Sequence, residues 1–178
     1  SFEFDTKRIE LTPIRQSESE LPPDALEPIV VKQVRANFEI ADDRFELSNL
    51  VADVFGGQVT GSATILTDNL AADASRSNQI NLAWENVSPV FHTNALFPLD
   101  VLLSVDTSGQ IDWNVPAGQW RYPAKQTGEA TMEIESIKLG EKSIGNLSAS
   151  VSNDGNNIEL DGQGRLFGGS VSVETVTP

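Results

Sequence analysis

The 178-residue chain contains no cysteine and only one histidine, one methionine and one tyrosine. The missing cysteines exclude disulfides, zinc–thiolate sites, iron–sulfur clusters and cysteine nucleophiles, although they leave the cellular compartment open. No run of about 18 apolar residues occurs, so the sequence predicts no membrane-spanning helix in this part of the protein. Basic residues are scarce as well: 12 Lys and Arg stand against 26 Asp and Glu, a net charge of −14. This charge argues against nucleic-acid binding and against simple electrostatic docking on anionic lipid surfaces.

The few reactive side chains form no recognisable catalytic set. His92, the only histidine, has no acid, base or nucleophile at a defined spacing, so we expect it in a loop or on the surface. Asp106 and Asp112 flank a predicted turn and would be the candidates for a glycosidase pair, but such pairs arise by chance in so acidic a chain. The sequence therefore predicts no enzymatic activity.

Three further motifs are better explained by turns than by ligands. Asp42-Asp43 and residues 153–157 (NDGNN) lack the ordered oxygen ligands and the closing carboxylate of a calcium loop. Gly162, Gly164 and Gly168 miss the spacing of a dinucleotide-binding loop, and no helix is predicted after them. We expect neither a metal nor a cofactor.

Apolar residues recur every second position through most of the chain, which is typical of strands with one apolar and one polar side. Polar turn chemistry separates these runs at residues 41–44, 140–142 and 153–156. A hairpin is predicted over 99–115, with its turn at residues 106–109 (DTSG). Helix is expected only as short turns near 24–27, 68–76 and 86–95. The predicted fold class is all-β, a long antiparallel sheet, with a β-sandwich as the alternative.

One motif occurs twice: residues 53–59 (DVFGGQV) and 165–171 (RLFGGSV) each follow a predicted hairpin. Paired glycines permit a bulge or a positive φ that would bend the strand. We therefore assign a structural role to the four glycines of the two motifs: Gly56, Gly57, Gly168 and Gly169. The repeat predicts two related units, at about 29–66 and 132–178, within one β-rich segment over 1–178. Because the chain begins at Ser1 without a methionine, we expect it to belong to a larger protein.

Over about residues 29–178 the pattern resembles the AsmA/TamB-like proteins of double-membrane bacteria. The resemblance rests on residues 45–50 (FELSNL) with 55–61 (FGGQVTG), and on residues 82–90 (LAWENVSPV) with 108–113 (SGQIDW). Two segments depart from that family's pattern: the proline-containing stretches 16–28 and 116–128.

The resemblance implies a long, curled antiparallel sheet that forms a U-shaped apolar groove. It implies a periplasmic location, with the parent protein anchored to the inner membrane. The expected function is non-enzymatic contact with phospholipid acyl chains during lipid transport between membranes or outer-membrane assembly, with envelope proteins as further partners. Only inward-facing apolar residues transfer from the family, and the candidates for the groove lining are Val59, Ala63, Ile65, Leu82, Trp84 and Leu103.

A second function class stays open at this stage. A carbohydrate- or protein-binding β-sandwich or β-solenoid module of a surface protein would show the same alternation of apolar residues. Trp84 and Trp113 lie among aliphatic residues and are expected to pack in the fold, whereas Trp120 and Tyr122 lie in a predicted loop. A closed sandwich with exposed Trp120 and Tyr122 would support this alternative, and an open sheet with an apolar concavity would support the groove.

Overall fold

The computed structural model describes residues 2–11, 29–67, 76–92 and 102–177. Eleven strands account for most of these residues, and no helix among them is long and apolar enough to cross a membrane. The strands are β1 Phe2–Leu11, β2 Ile29–Ile40, β3 Arg44–Val54, β4 Gly57–Leu66, β5 Ser77–Val87, β6 Val90–His92, β7 Leu102–Pro116, β8 Thr127–Leu139, β9 Lys142–Asn153, β10 Ile158–Leu166 and β11 Gly169–Thr177. The all-β prediction is confirmed.

All eleven strands belong to one antiparallel sheet, in which each strand pairs with its neighbours along the chain. Strand β6 is the exception to the simple path, because it pairs only with β7. Strands β1 and β11 are the two edges, so the sheet is open and is not closed into a barrel. Within the described ranges, every extensive contact between elements is between strands that neighbour one another in the sheet. The described residues therefore form a single layer, as a curled sheet would, and the β-sandwich alternative is wrong for them.

Several irregularities interrupt the ladder, and four of them preserve the apolar face of the sheet. At each, the apolar residues that share a face are three positions apart instead of two, as they are from Leu47 to Leu50 and from Trp84 to Val87. Asn49 and Asn86, inside these two bulges, both adopt a positive φ of 54°. Asparagine tolerates this left-handed conformation better than most residues, so the extra residue fits without shifting the register of the face. The other two irregularities lie in β2 around Gln33 and in β8 between Ile134 and Ile137.

The two Phe-Gly-Gly motifs form the same turn, and the positive φ falls on the phenylalanine and the first glycine of each motif. Phe55 and Gly56 have φ of 49° and 82°, and Phe167 and Gly168 have φ of 51° and 81°. Each pair is the two-residue turn of a hairpin, because two consecutive positive φ values match the twist of the flanking strands. Gly57 and Gly169 are the first residues of the strands that follow and need no positive φ. Of the two alternatives that the sequence offered, the positive φ therefore occurs, at Gly56 and Gly168, and the strand-bending bulge does not.

Two other local predictions are also wrong. The predicted hairpin over 99–115 does not exist in its described part, because β7 runs without a turn from Leu102 to Pro116 and is paired on both sides. Residues 106–109 continue the strand through a register shift at Asp106 and Thr107. The helical turn expected near 86–95 is instead the end of β5 and strand β6 in its described part, and the single described helical turn is a 3₁₀ turn at Pro123–Lys125. The turn expected near 24–27, and the one expected near 68–76 as far as residue 75, lie outside the described residues.

Asp106 ties together the irregular region where β5, β6, β7 and β8 meet. Its Oδ2 atom accepts hydrogen bonds from the Ser136 hydroxyl and from Lys138 Nζ at 3.0 Å, and its Oδ1 atom accepts one from the Ser88 hydroxyl at 2.8 Å. These partners, the Ser136 hydroxyl first, then Ser88 and Lys138, lower the pKa of Asp106 from 3.8 to about 2. Hydrogen bonds to the carboxylate favour its charged form over the neutral acid.

We expect Asp106→Asn to destabilise the protein at pH 7 by an amount that disappears in acid. Because the pKa is lowered on folding, the stabilisation is fully present above pH 3.8 and is lost as the pH falls through about 2. Urea unfolding of wild type and variant between pH 7 and pH 2 measures the difference. Asp161→Asn, which removes an exposed carboxylate from β10, is the matched control and should change stability less at pH 7. A difference for Asp106→Asn that stays constant down to pH 2 would contradict the assignment.

Candidate functional site

The register of the sheet places the apolar residues of successive strands on one side. Residues directly opposite each other in an antiparallel pair point to the same face. Val59 lies opposite Trp84, which lies opposite Gly109, which lies opposite Met132. The same rows continue through β9, β10 and β11, for example from Leu147 to Gly164 and Val171. We call this side the apolar face. Its aliphatic and aromatic residues from β4 to β9 include Val59, Ala63, Ile65, Ile80, Leu82, Trp84, Val87, Leu103, Val105, Ile111, Trp113, Val115, Ala130, Met132, Ile134, Ile137, Leu139, Leu147, Ala149 and Val151.

The opposite side of the sheet is polar. The charged residues of β7 and β10 all alternate with apolar-face residues and so point away from them. Eight of the strand residues on the polar side between β8 and β10 are serine, threonine or glutamine: Thr127, Thr131, Ser136, Ser143, Ser148, Ser150, Ser152 and Gln163. From β7 to β10 the sheet therefore separates a polar side from an apolar side.

All six candidate groove residues lie on the apolar face, and all six are only half-buried. A closed core would bury such residues almost completely, whereas the fully buried apolar side chains here are few and mostly small. The structure thus gathers Val59, Ala63, Ile65, Leu82, Trp84 and Leu103 on one surface that no described element covers along its length. Their role in binding a ligand stays a prediction.

Large side chains on the apolar face lie across glycines of the neighbouring strand. The indole of Trp84 fills the space that a side chain at Gly109 would need, and the indole of Trp113 does the same at Gly128, where its Cε3 atom is 2.7 Å from the position of a Cβ. Leu82 covers Gly61, Leu166 covers Gly145 and Leu147 covers Gly164 in the same way. Each of these pairs is directly opposite in the register. Each pair buries part of the large side chain within the sheet, so these side chains protrude little from the apolar face.

One end of the apolar face is closed by the loop of residues 117–126, which we call the rim loop. Gln126 anchors it: its Oε1 atom accepts a hydrogen bond from Trp113 Nε1 at 2.9 Å, and its Nε2 atom donates to the Trp120 carbonyl at 3.1 Å. Asn153 Nδ2 donates to the Pro123 carbonyl at 2.7 Å. Because Trp113 and Asn153 both lie on the apolar face, the rim loop folds over the end of that face.

The same end of the sheet holds the most deeply buried residues. Val115 and Ala117 are each 1% exposed, and the side chain of Asn78 is fully buried beneath them. Asn78 Oδ1 accepts a hydrogen bond from the Leu66 amide at 2.9 Å, and its Nδ2 atom donates to the Val115 carbonyl at 3.1 Å. Asn78 thus bridges β4 and β7 where their ordinary pairing with β5 ends. Sequence reasoning did not single out Asn78 or Gln126 and treated Asn153 only as a turn residue, because a buried amide and an exposed one look alike in a sequence.

The remaining candidates are distributed without forming a second site. Asp106 and Asp112 lie on the same strand, six residues apart, which is about 20 Å at about 3.3 Å per residue and too far for a glycosidase pair. The backbone of His92 lies in β6 opposite Leu102. In the described ranges no three His, Cys, Asp or Glu side chains group as they would around a metal ion. Asp154 accepts hydrogen bonds from the amides of Asn156 and Asn157, which is turn chemistry and lowers its pKa.

Fold and face together define a class of structure: an open, single-layer antiparallel sheet with one apolar face and one polar face. The chain matches no family model, no curated protein and no solved structure.

Proposed function

We propose that this chain is a segment of an AsmA/TamB-like envelope protein, in which the apolar face accepts phospholipid acyl chains without enzymatic chemistry. The observation that carries the proposal is the apolar face itself: half-buried and exposed aliphatic and aromatic side chains continue from strand to strand, and the described elements cover only the end beneath the rim loop. Contiguous apolar surfaces of this kind mark ligand or partner sites, because exposing them to water is unfavourable. Acyl chains would cover the face and remove that cost.

The positions of the glycines favour a concave groove rather than a flat surface. All eight glycines that lie within strands are on the apolar face, and none is on the polar face. Glycines within strands are the usual places where a sheet bends, and missing side chains on one face let the sheet curl toward that face. A curl in this direction would make the apolar face concave and leave room for a ligand beside it.

The alternative reading, a carbohydrate- or protein-binding module, has part of its expected geometry. Trp120 and Tyr122 are 44% and 57% exposed, as it required. The closed sandwich that it also required is not formed by the described residues, so the acyl-chain groove is the function that we favour. By the same proposal the parent protein is periplasmic, is anchored to the inner membrane and works with other envelope proteins in lipid transport or outer-membrane assembly.

Ala63→Asp tests the proposal. Ala63 is half-buried between Leu47 and Ile80 on the apolar face, so on an open face water reaches the new carboxylate and the fold should persist. We expect the melting temperature to fall by only a few degrees and the capture of lipid to be lost. Lipid capture is measured by photo-crosslinking from a probe residue at position 65 in cells.

The matched control is Ser62→Asp, which places the same charge one residue earlier and on the polar face. It should keep both the fold and the lipid adducts. Complete unfolding of Ala63→Asp, together with no lipid adducts in the wild-type background, would show that this face is a closed core and that the proposal is wrong.

A further inference from the structure

The rim loop carries positive charge in a chain that is otherwise strongly acidic. Residues 113–128 form the longest stretch of the sequence without Asp or Glu, and they contain Arg121 and Lys125. Both side chains are exposed, and neither makes an ion pair with any residue that the structure describes. Of the acids on adjacent turns, Asp154 has its carboxylate occupied by the backbone amides of Asn156 and Asn157. The two cations are therefore available to an anion.

The same loop exposes aromatic rings beside these charges. Lys125 Nζ lies 5.7 Å from the centre of the Tyr122 ring, and Trp120 and Tyr122 are both exposed. Trp and Tyr rings next to Lys and Arg suit a boundary between an apolar and a polar phase, because each ring has an apolar body and a polar tip.

The position of the loop connects this surface to the apolar face. Only the side chain of Gln126 lies between the Trp113 indole, on the apolar face, and the Trp120 carbonyl, in the rim loop. Successive backbone hydrogen bonds connect the turns of the loop, including those from the Gln119, Tyr122 and Lys125 amides. A ligand with its apolar part on the face would therefore place its polar end beside Arg121 and Lys125.

We propose that the rim loop binds the phosphate of a phospholipid whose acyl chains lie on the apolar face, through Arg121 and Lys125. The inference rests on the proposed function, since it requires the lipid to be there. Guanidinium and ammonium groups are the side chains that bind phosphate oxygens with charge-assisted hydrogen bonds. The chain's net charge of −14 repels anions at long range, so recognition depends on the acyl chains holding the phosphate at the loop.

The experiment compares two ligands that share one acyl chain, lauroyl lysophosphatidylglycerol and monolaurin, which lacks phosphate. Binding is followed by calorimetry below the concentration at which either ligand aggregates. We expect the wild-type protein to prefer the phosphate-bearing lipid by about fivefold, as two exposed charge pairs would provide. In Arg121→Gln/Lys125→Gln this preference should fall to about one, while the affinity for monolaurin is unchanged.

The control pair, Lys142→Gln/Arg165→Gln, removes two exposed cations at the opposite end of the strands and should keep the wild-type preference. Equal loss in the control would show a general charge effect and would overturn the inference, as would a preference that survives in the rim-loop variant. Competition by inorganic phosphate at the same concentration as the lipid would point to a free-anion site and would also overturn it. If all three proteins bind both ligands with equal affinity, only the phosphate site at the rim loop is refuted, and the proposed acyl-chain groove is not. Failure of the wild type to bind either ligand refutes the proposed function.

Discussion

Gly57→Val is expected to lower the melting temperature by about 10 °C, which corresponds to about 3 kcal/mol of unfolding free energy. Gly57 begins β4, and a Cβ placed there would collide with the backbone of Glu85 and Asn86 in the neighbouring part of β5. Backbone atoms in the middle of a sheet cannot move aside without breaking their own pairing. Differential scanning calorimetry of the variant measures the effect.

Gly169→Val is the matched control, because it changes the equivalent glycine of the second Phe-Gly-Gly motif. A Cβ at Gly169 would meet only the Leu166 carbonyl oxygen, at the ordinary distance of 3.5 Å, and β11 is an edge strand. Its effect should lie within about 0.5 kcal/mol, since valine favours strands and nothing there must shift. Equal melting temperatures for the two valine variants would mean that crowding by β5 does not constrain Gly57.

Asn78→Ala should destabilise the protein by about 3 kcal/mol, the second large effect that we expect. The Asn78 side chain is fully buried and holds the Leu66 amide and the Val115 carbonyl at once. Its removal takes one hydrogen bond from each of two buried strands and leaves a cavity, and each lost buried partner costs about 1–3 kcal/mol. Urea unfolding of the variant, with an unchanged m-value, measures the loss.

The control for this position is Asn81→Ala, on the same strand but on the polar face. Its side chain is half-exposed, so water replaces whatever it contacts, and the change should stay below about 1 kcal/mol. If both alanine variants unfold at the same urea concentration, the bridge between β4 and β7 does not stabilise this end of the sheet.

Turns predicted from local residue types are correct where the same residues do not pair with distant strands. The turns at 41–44, 140–142 and 153–156 join β2 to β3, β8 to β9 and β9 to β10, as the sequence predicts. The turn at 106–109 failed although its residues are equally turn-like. Gly109 is needed as an empty position beneath the Trp84 ring, and the residues around it are paired to β5 and β8. Pairing with strands distant in sequence outweighs a local turn preference of this kind.

The Phe-Gly-Gly motifs show a second limit of prediction from the sequence. The sequence indicated that these positions need unusual backbone, and they have it, but the positive φ falls on Phe and the first glycine. At Gly57 the second glycine is required because the backbone of a neighbouring strand leaves no room for a side chain. At Gly169 no described contact excludes a side chain. A close approach between strands is a property of the assembled sheet, and two identical motifs can differ in it.

The alternation of apolar and polar residues by itself determined that this protein is a β-sheet and which residues share its apolar face. Alternation is set by the geometry of a single strand, since successive side chains point to opposite sides, and the three-residue steps at the bulges are readable in the same pattern. What lies against the apolar face was decided only by the tertiary structure. A strand from a sandwich and a strand from an open sheet carry the same alternation, because both must turn apolar side chains away from water, whether toward a second layer or toward a ligand. The register across ten strands, the glycines beneath Trp84 and Trp113 and the rim loop over one end appear only when residues far apart in the chain are brought together.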